Sequence, residues 1–88
     1  MIAIPFWMQQ RGLKTEEISA RTLHISGEGL ADCEIFVYPV PSGPGWQVTV
    51  DQITPEGRKT LARTESPFEN ESSAWQAGFD LLRQRLAL

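Results

Sequence analysis

SGPGWQVTV, residues 42–50, decides how this chain reads. Turn chemistry at Ser42, Gly43, Pro44 and Gly45 runs straight into Trp46, and apolar and polar side chains then alternate. Trp46, Val48 and Val50 point one way, and Gln47, Thr49 and Asp51 the other, the pattern of a strand with one covered face. Trp46 therefore reads as the first member of a core face. Upstream, PSGPG at 41–45 is a hairpin-type loop, and EIFVYPV at 34–40 is β-branched and aromatic, a second strand. Its Ile35 and Val37 share one face, while Phe36, Tyr38 and Val40 share the other. Pro39 has no N–H for a ladder, so it belongs at a strand end or an open edge.

Downstream, TPEG at 54–57 has the turn spacing of Pro and Gly and leads into RKTLART at 58–64, a third, weaker strand. From Glu71 the chain reads ESSAWQAGFDLLRQRLAL. Ala74, Trp75, Gly78, Phe79, Leu81, Leu82 and Leu86 fall on one broad stripe, opposite Ser73, Gln76, Asp80, Arg83 and Gln84. That is a helix laid on a sheet, with Asn70 placed to cap it and Glu71 at the positive end of its dipole. Burying Trp75, Phe79, Leu82 and Leu86 is worth on the order of 6–12 kcal/mol before entropy is subtracted. Gly78 on the buried stripe points to close approach of helix and sheet, at a propensity cost of roughly 1 kcal/mol.

The first third is less decided. KTEEISARTLHISGEG reads either as a short helix starting at Thr15 or as a strand across ARTLHIS with Leu23 and Ile25 on one face. The expectation carried forward is a helix over about 15–23. The expected fold class is α+β: a two-layer sandwich in which a three-stranded antiparallel meander is packed by the C-terminal helix, with a short N-terminal helix. With 88 residues the chain makes one domain over 1–88, with residues 1–12 an apolar N-terminal segment expected to be only partly ordered.

Composition narrows the function classes. The net charge of −3 gives no general attraction for nucleic acid or an anionic membrane. The N-terminus MIAIPFWMQQRG lacks a basic start, Pro5 interrupts its apolar run, and nothing approaches a membrane span, so a cytoplasmic protein is expected. The single cysteine, Cys33, permits no internal disulfide and fits a reducing compartment.

The order helix, three-stranded meander, helix resembles the double-stranded-RNA-binding arrangement. Gly45, Trp46, Gly57, Phe68, Ala74 and Ala77, a strand opened by Gly and Trp, a Gly-containing turn and a following helix, resemble the small arm-binding domains of phage integrases. The resemblance covers about half the chain. It implies a sheet face that reads nucleic acid, with Arg58, Lys59 and Arg63 as the only compact basic group. The departures are Asp51 among the exposed strand residues, where Arg58, Thr60 and Thr64 face outward on the next strand, and FENESS at the start of the last helix. Phosphates need cations at those places.

No catalytic constellation stands out. His24 and Cys33 are the only residues of their kind, and a nucleophile pair built on them would need Asp32 or Glu34 as its orienting group. Asp32 and Glu34 themselves read as solvated neighbours of an apolar strand. No spacing matches a zinc site and no glycine motif cradles a phosphate, so no metal and no cofactor is expected. An apolar contact surface is the stronger theme. Phe6 and Trp7 in IPFWM, and Phe36 and Tyr38 on the second face of their strand, lack an obvious cover. The expected function is a small non-catalytic protein-interaction or regulatory module, a homodimer or the binder of a protein partner. The alternative is nucleic-acid binding through the exposed sheet face.

Overall fold

The computed structural model describes residues 2–88; Met1, the first residue of the apolar N-terminal segment, lies outside the described residues. In chain order the elements are α1 (Phe6–Gln10), β1 (Lys14–Ser19), β2 (Thr22–Gly27), β3 (Leu30–Pro39), β4 (Trp46–Thr54), β5 (Gly57–Arg63) and α2 (Glu71–Arg85). The five strands form one antiparallel open sheet in the order β1-β2-β3-β4-β5, and α2 packs across β3, β4 and β5 on one face. The fold is α+β.

The two alternating runs that flank the Pro/Gly loop are the centre of this sheet. β3 and β4 pair without interruption from Asp32↔Ile53 to Pro39↔Trp46, so Ile35 and Val37 lie beside Val50 and Val48, all fully buried. Pro39 is the last residue of β3, where its missing N–H costs no ladder bond. The loop closes with the Val40 N–H donating to the Gly45 carbonyl (3.0 Å). Gly45 sits at φ +113°, and a Cβ there would stand 2.9 Å from the Pro67 Cβ, so only glycine fits. Trp46 and Phe68 exchange backbone hydrogen bonds of 2.9 and 2.8 Å, which ties the lead into α2 to the start of β4.

α2 is built as its sequence indicates. The Asn70 side chain accepts from the Ser73 N–H at 2.8 Å, and Ala74, Trp75, Gly78, Phe79 and Leu82 are buried. Gly78 is the contact point with the sheet: a Cβ there would meet Ile35 Cγ2 and Val48 Cγ2, each at 2.9 Å.

The expected helix over 15–23 does not form, and the sheet has two strands more than the expected three. Residues 14–27 are the β1–β2 hairpin instead. Ile18 and Leu23, five positions apart, would lie about 140° apart around a helix and could not share a stripe. As a strand, β2 places Leu23 and Ile25 on one face, fully buried opposite Ile35 and Cys33. The short helix of the N-terminal region lies earlier, at Phe6–Gln10. Its Met8 is fully buried and Ile2 is 7% exposed, so the N-terminal segment is part of the core on the same side as α2.

The third expected strand also differs in detail. A bulge between Val50 and Asp51 leaves Leu61 as the extra residue of β5. It shifts the side-chain phase, so Arg63 stands opposite Thr49, while Thr64 turns its hydroxyl to the Val48 backbone (3.2 Å) rather than facing outward. Among the described residues, no helix is long and apolar enough to cross a membrane.

Candidate interaction surface

Strand alternation leaves one face of the sheet without a helix. Opposite the core residues it presents a transverse row, Glu16, His24, Glu34, Asp51 and Thr60, one from each strand. A second row holds Thr22, Phe36, Thr49 and Arg63. At the end of that row Ser19 stands opposite Thr22, and the bulge of β1 leaves Ile18, 55% exposed, unpaired next to it in the chain.

The first row is a bonded network. His24 Nε2 lies 2.9 Å from Asp32 Oδ2 and Nδ1 lies 3.2 Å from Glu34 Oε2. Glu34 also accepts from Arg58 at 2.8 Å; Arg58 reaches Asp51 at 3.2 Å, and the Thr60 hydroxyl donates to Asp51 at 3.0 Å. The hydrogen bonds to Glu34 and Asp32 raise the His24 pKa over the opposing effect of burial. For Glu34, burial pushes the pKa up, but Arg58 and His24 together bring it below the usual value. Arg58 is held still more firmly protonated by Glu34 and Asp51. An imidazolium that donates both N–H groups to carboxylates has no lone pair left for proton abstraction.

Beside this network lies the apolar part of the face. The Phe36 and Tyr38 rings stack at 5.3 Å between centroids and 21° between planes, and Phe36 remains 43% exposed. Below them Thr49 is buried, and Gln47 donates to the Thr64 carbonyl.

Comparison of the chain with protein-family models, with curated proteins and with solved structures finds no match.

The residues singled out from sequence fall into separate places. Phe36 and Tyr38 come together on the open face. Phe6 and Trp7 lie on α1, on the opposite side, where the Arg83 guanidinium stands 5.1 Å from the Trp7 ring centroid and Phe6 is 69% exposed. No flat surface contains all four. Arg58 and Arg63 face the open side, but Lys59, opposite Gln52, faces the other. The basic group is thus divided, and Arg58 is already committed to two carboxylates. The layout behind the nucleic-acid resemblance placed its first helix over about 15–23; those residues belong to the β1–β2 hairpin, and the helix before the sheet is the five-residue α1 at Phe6–Gln10. His24 and Cys33 sit on opposite faces of neighbouring strands, and the Cys33 thiol, fully buried, is pushed up in pKa by desolvation and by nearby Asp32. Trp46 is half-buried against the core with the Arg21 guanidinium 4.8 Å from its ring. Among the described residues no group of three or more His, Cys, Asp or Glu side chains is arranged to hold a metal ion.

The clamp on His24 is the feature that sequence reasoning missed. Asp32 and Glu34 were legible as alternate residues of one strand face. The Thr22–Ser26 alternation, read as a strand, would have set His24 against them.

Proposed function

We propose that this chain is a non-catalytic protein-interaction module whose contact surface is the open face of its sheet, centred on Phe36 and Tyr38. The observation that carries the reading is the stacked, half-exposed aromatic pair on a sheet face that neither α2 nor the N-terminal segment covers. Aromatic anchors on a firm strand lose little side-chain freedom on contact. Thr22 and Gln47 flank them with groups able to hydrogen-bond a partner backbone or side chain. The neighbouring ionic row is satisfied internally, so a partner meets it as a polar rim.

A protein surface is favoured over nucleic acid as the occupant. Glu16, Asp32, Glu34 and Asp51 lie on the same face, and of the basic residues named from sequence only Arg63 is both on that face and unpaired among the described residues. A cytoplasmic setting goes with this reading, Cys33 being a lone buried thiol.

The test places a photo-reactive residue at position 36, with position 80 on the outer side of α2 as control. Nuclease-resistant protein adducts at 36 that Tyr38→Ser reduces support the reading, and an adduct of twice the chain mass identifies a second copy as the partner. Adducts that nuclease removes, or equal labelling at both positions, sink it.

A further inference from the structure

The sheet is open, and its two edges differ in charge. The Arg21 carbonyl accepts from the Val37 N–H at 3.0 Å, which sets the phase of every ladder in the sheet. Residues 21, 23 and 25 turn their backbone groups to β3, and the even-numbered residues of β3 turn theirs to β4. The even residues of β4 then bond to β5, in agreement with the Thr64 N–H donating to the Val48 carbonyl (3.1 Å). Gly57 and Lys59 are therefore spent on β4, and Arg58 and Thr60 turn N–H and C=O outward from the sheet. All four residues from Gly57 to Thr60 are exposed. Lys59 and Arg63 make no ion pair among the described residues, and they stand on the two opposite faces of this edge.

We propose that the β5 edge binds an acidic peptide in extended conformation, added to the sheet as a further strand. Arg58 and Thr60 supply the backbone donors and acceptors, and Lys59 and Arg63 pair with its carboxylates from either face. Arg58 anchors the site: fixed by Glu34 and Asp51, its side chain holds the outward strand rigid while its backbone remains open. Charge complementarity selects the occupant. An edge guarded by unpaired cations resists a neutral or basic strand and accepts one whose carboxylates neutralise it. The opposite edge, β1, carries Glu16 and Glu17 and does not attract the same ligand.

The probe is a fluorescein-labelled peptide of about eight residues alternating glutamate and valine, followed by anisotropy, with a lysine–valine peptide as control. The acidic peptide should bind, weaken with salt, and lose roughly tenfold or more in affinity in the Lys59→Glu, Arg63→Glu double variant. Thr60→Pro should abolish binding, because its N–H faces outward and serves no intrachain ladder bond. Should Thr60→Pro fail to fold by circular dichroism, the double variant alone decides. Phe36→Ser should leave binding unchanged, which keeps this site separate from the open-face reading. Equal binding of the lysine peptide, no binding up to about 1 mM, or full binding by the double variant overturns the proposal. A concentration-dependent rise in molar mass without peptide, lost in the double variant, also overturns it and assigns the edge to β1 of a second copy.

Discussion

At His24 two carboxylates share one imidazole, and the consequence is a dependence of stability on pH. The folded chain raises the His24 pKa, so proton binding favours the fold. That contribution is whole below the ordinary imidazole value of about 6.5 and fades as pH climbs through the raised one. Glu34, lowered in the fold, contributes above the ordinary glutamate value and loses its share as pH falls through the lowered one. The groups facing His24 are Asp32 and Glu34 on β3 and Glu16 on β1. Between about pH 6 and about pH 9 the unfolding free energy of the native chain, from urea titration, should fall, by no more than about 1 kcal/mol because the pairs are partly exposed. His24→Gln should flatten that slope, and an unchanged slope in the variant would remove the clamp from the account.

For single elements the decisive contact is that of α2 with the sheet. Helix propensity alone says that Gly78→Ala stabilises α2 by roughly 1 kcal/mol. The packing says the reverse. The new Cβ meets two methyls at 2.9 Å, and both belong to buried β-branched side chains, which have little rotamer freedom. Gly78→Ala should therefore lower stability by about 1–3 kcal/mol in urea unfolding, while Gln76→Ala on the exposed side should stay within about 0.5 kcal/mol. A stabilised Gly78→Ala would mean that helix and sheet stand further apart.

Over the whole molecule, stability is graded from the middle of the sheet outward. β3 and β4 are paired on both sides and lie under α2, so their amides should exchange slowest with deuterium. β1 is a lone edge with every residue exposed, so its protection should alternate. Lys14 and Glu16, which bond towards β2, should be protected, and Thr15 and Glu17, which face outward, should exchange freely. Equal protection along β1 would show that its outer edge is covered, and the open-sheet description would fail.

The centre of this protein is written in its local sequence. β3, β4, β5 and α2 are legible because their information is local. Period-two alternation at 46–50, the Pro/Gly loop at 41–45, the stripe from Ala74 to Leu82 and the cap at Asn70 each specify one conformation over a few neighbouring residues. Tertiary structure decided what depended on distant partners. Of the apolar residues in 14–27 only Leu23 and Ile25 are buried, while Ile18 stays exposed, and two such positions do not specify a strand until Ile35 and Cys33 stand beside them. The bulge at Leu61, which turns Arg63 to the open face, follows from pairing with Val50 and Asp51 rather than from the local residues. The aromatic pair of the candidate surface was visible as Phe36 and Tyr38, but its separation from Phe6 and Trp7 was not. The side of a sheet on which a terminal segment packs is fixed by where the core still lacks cover, and Met8 fills that place beside α2.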